Sequence, residues 1–111
     1  SIMNDISEGV VVLDNELFVK SINHQAEVFL GLIPGEIMNH LLSRKVNHDY
    51  LMEMIQKAYD DCQRVNELNI EFKKESYIVD IIPIQDKNEQ IIRLILIFSL
   101  SSSHADNSSK S

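Results

Sequence analysis

The sequence predicts one α+β domain, with a five-stranded antiparallel sheet and helices between strands 2 and 3 packed on one face. Along Val65–Phe72, apolar and polar residues alternate with the period of a strand that has one face in water. Further upstream, apolar residues recur at the spacing of a single helix stripe, at Leu51, Ile55, Ala58 and Cys62. Strands are predicted as an N-terminal pair and a C-terminal trio, each joined by short turns, which favours antiparallel pairing.

The N-terminal elements follow from turn and cap residues. Residues 4–8 are predicted to form a helical turn ended by Gly9, a residue suited to a left-handed cap. Strands are predicted over residues 10–13 and 17–22, joined by a turn at 14–16, because Asp and Asn bond to their own backbone in turns.

Three helices are predicted in the middle of the chain. Asn23 is a good N-cap, and Gly31 ends the helix that it begins. Pro34 suits the first turn of a short helix that carries the apolar residues Ile37, Met38, Leu41 and Leu42. Asn47 is predicted to cap the long amphipathic helix, with Asp49 in its first turn.

The C-terminal trio is predicted as strands 65–72, 77–84 and 91–100, with residues 85–90 as a hairpin loop. The segment 101–111 is rich in serine and has no large apolar residue, so it is predicted to be a disordered tail, a linker or a remnant of cloning. The predicted folded domain is therefore residues 1–100.

Composition excludes several classes of partner. The 111 residues carry a net charge of −7, which disfavours nucleic acids and anionic membrane surfaces. No apolar run is long enough to span a membrane, and no signal peptide is visible. The lone Cys62 cannot form an internal disulfide, which suits a reducing compartment. We therefore expect a cytoplasmic protein.

Several segments resemble the PAS family, which supplies sensing and dimerisation modules to bacterial signalling proteins. The segment SEGVVVLD at residues 7–14 resembles the opening strand of the family, and Asn23 followed by Ala26, Phe29, Leu30 and Gly31 resembles its first helix. PGEI at 34–37, YIVDIIPI at 77–84 and IIRLILIF at 91–98 resemble a later turn and the last two strands. The resemblance covers nearly all of residues 1–100.

The resemblance implies a role in signalling. PAS domains usually lie upstream of histidine kinases, diguanylate cyclases or transcription regulators, and no such output domain is present in this sequence. We expect a non-catalytic module of a sensor histidine kinase that forms a homodimer and responds to a signal or a small ligand. The expected dimer contact uses the outer sheet face and Ile2, Met3 and Ile6. The alternatives are a module of a transcription regulator or cyclase, or a purely structural dimerisation domain.

Any ligand pocket would lie between the helices and the sheet. Its candidate apolar lining is Val12, Phe29, Met38, Leu51, Ile55, Tyr59, Ile70, Ile82 and Leu96. A filled core would use the same residues, so the sequence leaves both readings open. Arg93 interrupts an apolar strand: it either points into the pocket to hold a carboxylate or phosphate, or points outward and pairs with Asp80.

The cofactor of such a pocket is left unknown. In the flavin photoreceptors of the family that this chain resembles, a reactive Cys lies at the start of the first helix. This chain reads NHQA at residues 23–26 and has no Cys there. Haem members use a His on the long helix, but His48 lies at its first turn and His40 before it. Flavin photochemistry and haem are therefore disfavoured. His40, His48 and Asp49 match no zinc spacing, so no metal site is predicted.

Overall fold

The fold is an antiparallel sheet with two α-helices inserted after its second strand. A computed structural model describes residues 7–101. The five strands lie in the order β2-β1-β5-β4-β3. Along the chain the elements are β1 (Gly9–Asp14), β2 (Val19–Ile22), α1 (His24–Leu30), a 3₁₀ helix (Leu42–Arg44), α2 (Asp49–Asp61), β3 (Val65–Phe72), β4 (Glu75–Gln85) and β5 (Ile91–Leu100). The predicted α+β class and antiparallel sheet are confirmed.

Strands from the two ends of the chain meet in the middle of the sheet. β1 pairs with β5 from Gly9 opposite Phe98 to Asp14 opposite Arg93. β1 also pairs with β2, and β5 pairs with β4. The apolar residues that cluster in β1, β4 and β5 therefore lie side by side, as β-branched and aromatic residues favour.

The hydrophobic core lies between the inner face of the sheet and the helices. In β1, Val11 and Leu13 are buried while their neighbours are only half-buried, because side chains alternate between the two faces. Largest among the fully buried side chains are Phe98, Leu13, Leu30, Ile37, Leu51, Ile81, Leu94 and Leu96. Burying a side chain of this size contributes about 1.5–3 kcal/mol.

Asn23 ties the first helix to the sheet. Its Oδ1 accepts the backbone N–H of Ala26 at 2.9 Å as the N-cap of α1, and that of Val10 in β1 at 2.9 Å. Its Nδ2 donates to the carbonyl of Glu8 at 3.1 Å. The predicted N-cap is thus confirmed, and the same amide also fixes where α1 crosses β1.

Two glycines next to α1 serve different purposes, one at its C-terminus and one in the strand that it packs against. Gly31 ends the helix in the left-handed conformation with φ 69°, as predicted. Gly9 does not cap a helix but opens β1, so its predicted role is wrong. A Cβ at Gly9 would lie 2.8 Å from the Cα of Ala26, which shows that the strand needs glycine there to let α1 approach. Residues 4–6 of the predicted helical turn lie outside the described residues.

The predicted short helix after Pro34 is wrong. Residues 34–39 form successive turns, and between α1 and α2 the only helical piece is the 3₁₀ helix. Gly35 and Asn39 take φ values of 79° and 65°, which a right-handed helix does not allow. The chain instead runs back along β2: Asn39 N–H donates to the carbonyl of Val19, and Val19 N–H donates to that of His40, both at 2.8 Å.

The long helix α2 begins one residue later than predicted. His48, not Asn47, is the N-cap, and its Nδ1 accepts the N–H of Leu51 at 3.0 Å. Leu51, Ile55 and Ala58 form the buried stripe, whereas Cys62 is the C-cap with φ 50°. None of the helices within residues 7–101 is long and apolar enough to cross a membrane.

Candidate functional site

The predicted pocket residues separate onto the two faces of the sheet. On the helix side, the hydrophobic core contains Phe29, Leu51, Ile55, Ile70 and Leu96, and Met38 and Tyr59 pack against it half-buried. The space that they were predicted to line is therefore mostly filled by their own side chains. Whether any ligand binds among them stays a prediction.

Val12 and Ile82 were predicted to line a pocket on the helix side of the sheet, but they lie on its other face. In the register of the sheet, Val12 lies opposite Ile95, and Ile95 lies opposite Ile82, so the three form one line across three strands. Their chain neighbours Val11, Leu96 and Ile81 are fully buried in the core, and side chains alternate along a strand. Val12 and Ile82 therefore point away from the helices.

Arg93 also lies on the outer face, so it does not point into the core. It is exposed and stands opposite Asp14 of β1, whereas Asp80 lies opposite Ile97. The predicted pair of Arg93 with Asp80 is therefore wrong, since the neighbour of Arg93 on β4 is Ile84, which lies four positions along the strand from Asp80. Asp80 instead accepts the N–H of Glu67 at 2.8 Å, where β3 bulges.

Asp14 organises the turn between β1 and β2. Its Oδ1 accepts the backbone N–H groups of Glu16 and Phe18 at 2.9 and 3.0 Å, and its Oδ2 lies 3.9 Å from Nζ of Lys20. Partial burial acts to raise the pKa of Asp14. The two backbone donors and the positive charges of Lys20 and Arg93 together outweigh it, so the pKa lies below the ordinary value of 3.8.

An apolar cavity lies beside the core and was not predicted. Its volume is about 220 Å³, and it opens between the end of β1, the β1–β2 turn, the 3₁₀ helix and the first half of α2. The lining residues are Leu13, Leu17, Leu41, Leu42, Ser43, Met52, Ile55 and Gln56. Ile55 is the one residue shared with the predicted lining. Because the lining residues come from four separate segments, no periodic pattern in the sequence could have grouped them.

A second, more polar cavity adjoins the first. It has a volume of about 210 Å³ and is lined by Phe18, His40, Leu41, Ser43 and Arg44, so the two cavities share Leu41 and Ser43. The guanidinium of Arg44 lies 3.4 Å from Nδ1 of His40. The combined cleft thus has an apolar end and a cationic end.

One buried carboxylate holds the chain that forms this cleft. Glu27 of α1 is the single buried charged residue among the described residues, and its Oε2 accepts the N–H of Gly35 at 2.7 Å. His24 lies near the other carboxylate oxygen, at 3.9 Å. Glu27 therefore anchors the turns that follow α1, a role without any local signal in the sequence, since the donor lies eight residues further on.

Tyr77, on the inner face of β4, makes a buried hydrogen bond to the backbone of α1. Its hydroxyl donates to the carbonyl of Phe29 at 3.2 Å, and the two rings pack with centroids 5.1 Å apart. Burial, with a smaller contribution from the negative charge of Glu75, raises the pKa of Tyr77 above 10.0, so the hydroxyl remains a donor at neutral pH. This bond joins α1 to β4 and fills the centre of the core.

The two histidines considered as ligands for iron or zinc have different structural roles. His48 caps α2, and its ring packs near that of Phe72 with centroids 6.4 Å apart. His40 lies beside Arg44. Within the described range 7–101, no three His, Cys, Asp or Glu residues come together in a way that could hold a metal ion.

Solved structures with the same architecture come from signalling proteins. The chain superposes on the PAS domain of histidine kinase ThkA with a TM-score of 0.72 and 15% identity, over 83% of this chain and 98% of that one. It superposes on a sensory box sensor histidine kinase from Vibrio cholerae with a TM-score of 0.73 and 15% identity, over 89% and 85% of the two chains. The chain has the PAS fold. The resemblance seen in the sequence is thereby confirmed.

The same fold also occurs in a protein of different function. The fungal blue-light photoreceptor Vivid superposes with a TM-score of 0.64 and 15% identity, over 85% of this chain and 78% of that one. No protein-family model and no curated protein matches the sequence significantly. At this identity the similarity of the PAS proteins to this chain shows the fold alone.

Proposed function

We propose that this PAS domain is a non-catalytic sensing and dimerisation module of a bacterial two-component sensor histidine kinase. In this proposal it lies in the cytoplasm, within a parent protein that is either soluble or anchored in the membrane. It passes a signal or the bound state of a small ligand to an output domain. The similarity to PAS domains of two histidine kinases supports the choice of parent protein.

The observation that carries the dimer is the apolar outer face of the sheet. Val12, Ile95 and Ile82 form its central line, with Val10 and Ile97 beside them on β1 and β5. These five side chains are half-buried, and none of them packs against the core formed by the described residues. A contiguous apolar patch at the centre of a sheet is typical of a surface that another chain covers.

A second copy of the chain is the proposed partner. The patch lies on the strands that pair the two ends of the domain, so a change in how two sheets pack would move β1 and β5 together. A signal that favours one packing over another would bias the attached output domain through a shift in population. Ile2, Met3 and Ile6, which were also predicted to contribute, lie outside the described residues.

The test is the oligomeric state by analytical ultracentrifugation at micromolar concentration. We expect a dimer for the wild-type chain and a dimer weakened by about tenfold or more for Ile95→Lys, because the interface would have to desolvate a charge. The matched control is Ile92→Lys, which adds the same charge on the same strand at a residue that is already 40% exposed. Circular dichroism checks that both variants fold. A wild-type monomer, or equal effects of the two variants, would refute the proposed interface.

The alternatives differ in the output domain. A transcription regulator or a diguanylate cyclase could carry the same module, and the similarity to a photoreceptor shows that the fold is not restricted to kinases. The sequence of the gene downstream of Leu100 decides among them. A purely structural dimerisation domain is distinguished by a dimer whose affinity no small molecule changes.

A further inference from the structure

The cleft between the β1–β2 turn and α2 has two chemically different ends. At one end, Leu13, Leu17, Met52 and Ile55 line a cavity of about 220 Å³, with Gln56 at its wall. At the other end lie Ser43 and Arg44. Leu41 and Ser43 line both cavities, so the two lie side by side in one cleft.

The apolar end has the size of a short aliphatic chain. Its volume of about 220 Å³ is smaller than the ~300 Å³ from which pockets for drug-sized ligands begin. Water gains few hydrogen bonds from leucine, isoleucine and methionine side chains. An apolar group of a few carbons would therefore replace that water favourably.

The polar end has a cation with donors to spare. Arg44 has five N–H donors, and its contact with the His40 ring is long at 3.4 Å. No carboxylate of residues 7–101 lies within 4.0 Å of its guanidinium, although neighbouring Lys45 is paired with Glu36 at 3.4 Å. Arg44 is thus free to form a bidentate pair with a ligand carboxylate, and the Ser43 hydroxyl lies in the same wall.

We propose that this cleft binds a short aliphatic monocarboxylate, with its hydrocarbon chain in the apolar cavity and its carboxylate on Arg44. Ser43 donates a further hydrogen bond, and His40 lines the same end. Because the whole chain carries a net charge of −7, it repels anions in general. Binding therefore requires both the local cation and the apolar cavity, which selects against acetate and against phosphate.

This site deepens the proposed function and rests on its sensing role. Its walls belong to the β1–β2 turn, to the 3₁₀ helix and to α2, three segments that a bound ligand would hold together. Leu17 of the turn is only three residues from Asp14, the end of β1. A ligand would thereby stabilise one position of the strand that carries Val10 and Val12 on its outer face.

The experiment measures the affinity of the 111-residue chain for sodium hexanoate by NMR titration, with 1-hexanol and sodium acetate as comparison probes. We expect saturable binding of hexanoate, with shifted amide signals at Leu17, Leu42 and Ser43. Hexanol lacks the charge and acetate lacks the hydrocarbon chain, so each should bind at least about tenfold more weakly than hexanoate. A charged hydrogen bond or several buried methylenes contribute that much.

Two variants separate the two ends of the cleft. Arg44→Gln should weaken hexanoate about tenfold and leave hexanol unchanged. Met52→Phe should fill the apolar cavity and weaken both probes. The matched control is Arg64→Gln, an exposed arginine just beyond α2 that bonds to Asn66 and should change neither affinity.

Equal binding of hexanol and hexanoate, no binding of hexanoate, or an unchanged affinity in Arg44→Gln would each overturn this assignment. The dimer is measured separately without any probe. A monomer that binds hexanoate would refute the proposed dimer and keep the site. A dimer that does not bind hexanoate would refute the site and leave the proposed dimer intact.

Discussion

Two turns of this domain share one hydrogen-bonding pattern and differ in surroundings. In the β1–β2 turn, Oδ1 of Asp14 accepts the N–H groups of the residues two and four positions on, at 2.9 and 3.0 Å. In the β4–β5 turn, Oδ1 of Asp86 does the same at 2.8 and 3.0 Å. The fourth residue of each turn is left-handed: Leu17 has φ 70° and Glu89 has φ 64°.

The surroundings decide what each turn can do. The side chain of Asp14 is only 14% exposed, lies 3.9 Å from Lys20 and faces Arg93 across the sheet. Leu17 packs against the core and lines the apolar cavity. All residues of the second turn are exposed. The same local chemistry therefore produces a surface connection in one place and part of a candidate binding cleft in the other.

The largest expected contrast is between Asp14→Ala and Asp86→Ala. Each substitution removes two hydrogen bonds to backbone N–H groups. At Asp14 the Phe18 N–H is left partly buried without its acceptor, so we expect a loss of about 2–3 kcal/mol, against about 1 kcal/mol at Asp86. Urea unfolding of both variants measures the difference. Equal losses would mean that burial of the first turn adds nothing.

The charge of Asp14 gives a smaller effect that depends on pH. Its folded-state pKa lies below 3.8, so the charged form stabilises the fold above the unfolded-state pKa, and this contribution is lost as pH falls through the folded-state pKa. Asp14→Asn keeps an oxygen acceptor but removes the charge. At neutral pH we expect the free energy of unfolding of the wild type to exceed that of this variant by about 1 kcal/mol.

The check is the free energy of unfolding of both proteins between neutral pH and pH values below the folded-state pKa. The gap should stay constant above about pH 5 and close as the pH falls below 3.8. A gap that does not change over this range would show that the charge of Asp14 contributes nothing. It would leave the hydrogen bonds tested by Asp14→Ala as the whole effect.

The smallest expected effect has opposite signs in the two turns. Glu89→Gly should stabilise the protein by about 0.5–1 kcal/mol, because glycine adopts a positive φ without strain and Glu89 is exposed. Leu17→Gly gains the same relief but loses the packing of Leu17 against the core, so we expect a net loss of about 0.5 kcal/mol. Thermal unfolding compares the two. Stabilisation by both variants would show that Leu17 contributes little packing.

Local signals predicted some elements with little error. The N-cap Asn23, the left-handed Gly31 and the strand Val65–Phe72 lie where the sequence indicated, because each depends on neighbours within a few residues. The helix predicted after Pro34 failed for the opposite reason. Its apolar residues have helical spacing, but the backbone of Asn39 and His40 is bonded to Val19 of β2, a partner that periodicity does not reveal.

The candidate site was even less accessible to sequence reasoning. Strands β4 and β5 are apolar on both faces, so the pattern could not tell that Ile82 points outward and Ile81 inward. One of the two interpretations of Arg93 paired it with Asp80, because both interrupt apolar strands, yet the register sets Arg93 opposite Asp14. Register depends on pairing between distant segments, and a shift of one residue moves every side chain to the other face.

By itself, the sequence determined the α+β class, the order of the strands along the chain, the caps of α1 and the amphipathic stripe of α2. These features arise from interactions between residues close together in the chain. Only the tertiary structure decided which face each residue of β4 and β5 presents, which carboxylate faces Arg93, and which side chains surround the cleft. Those outcomes depend on long-range packing, because Leu13, Leu42 and Met52 become neighbours only once the turn, the 3₁₀ helix and α2 close around a shared space.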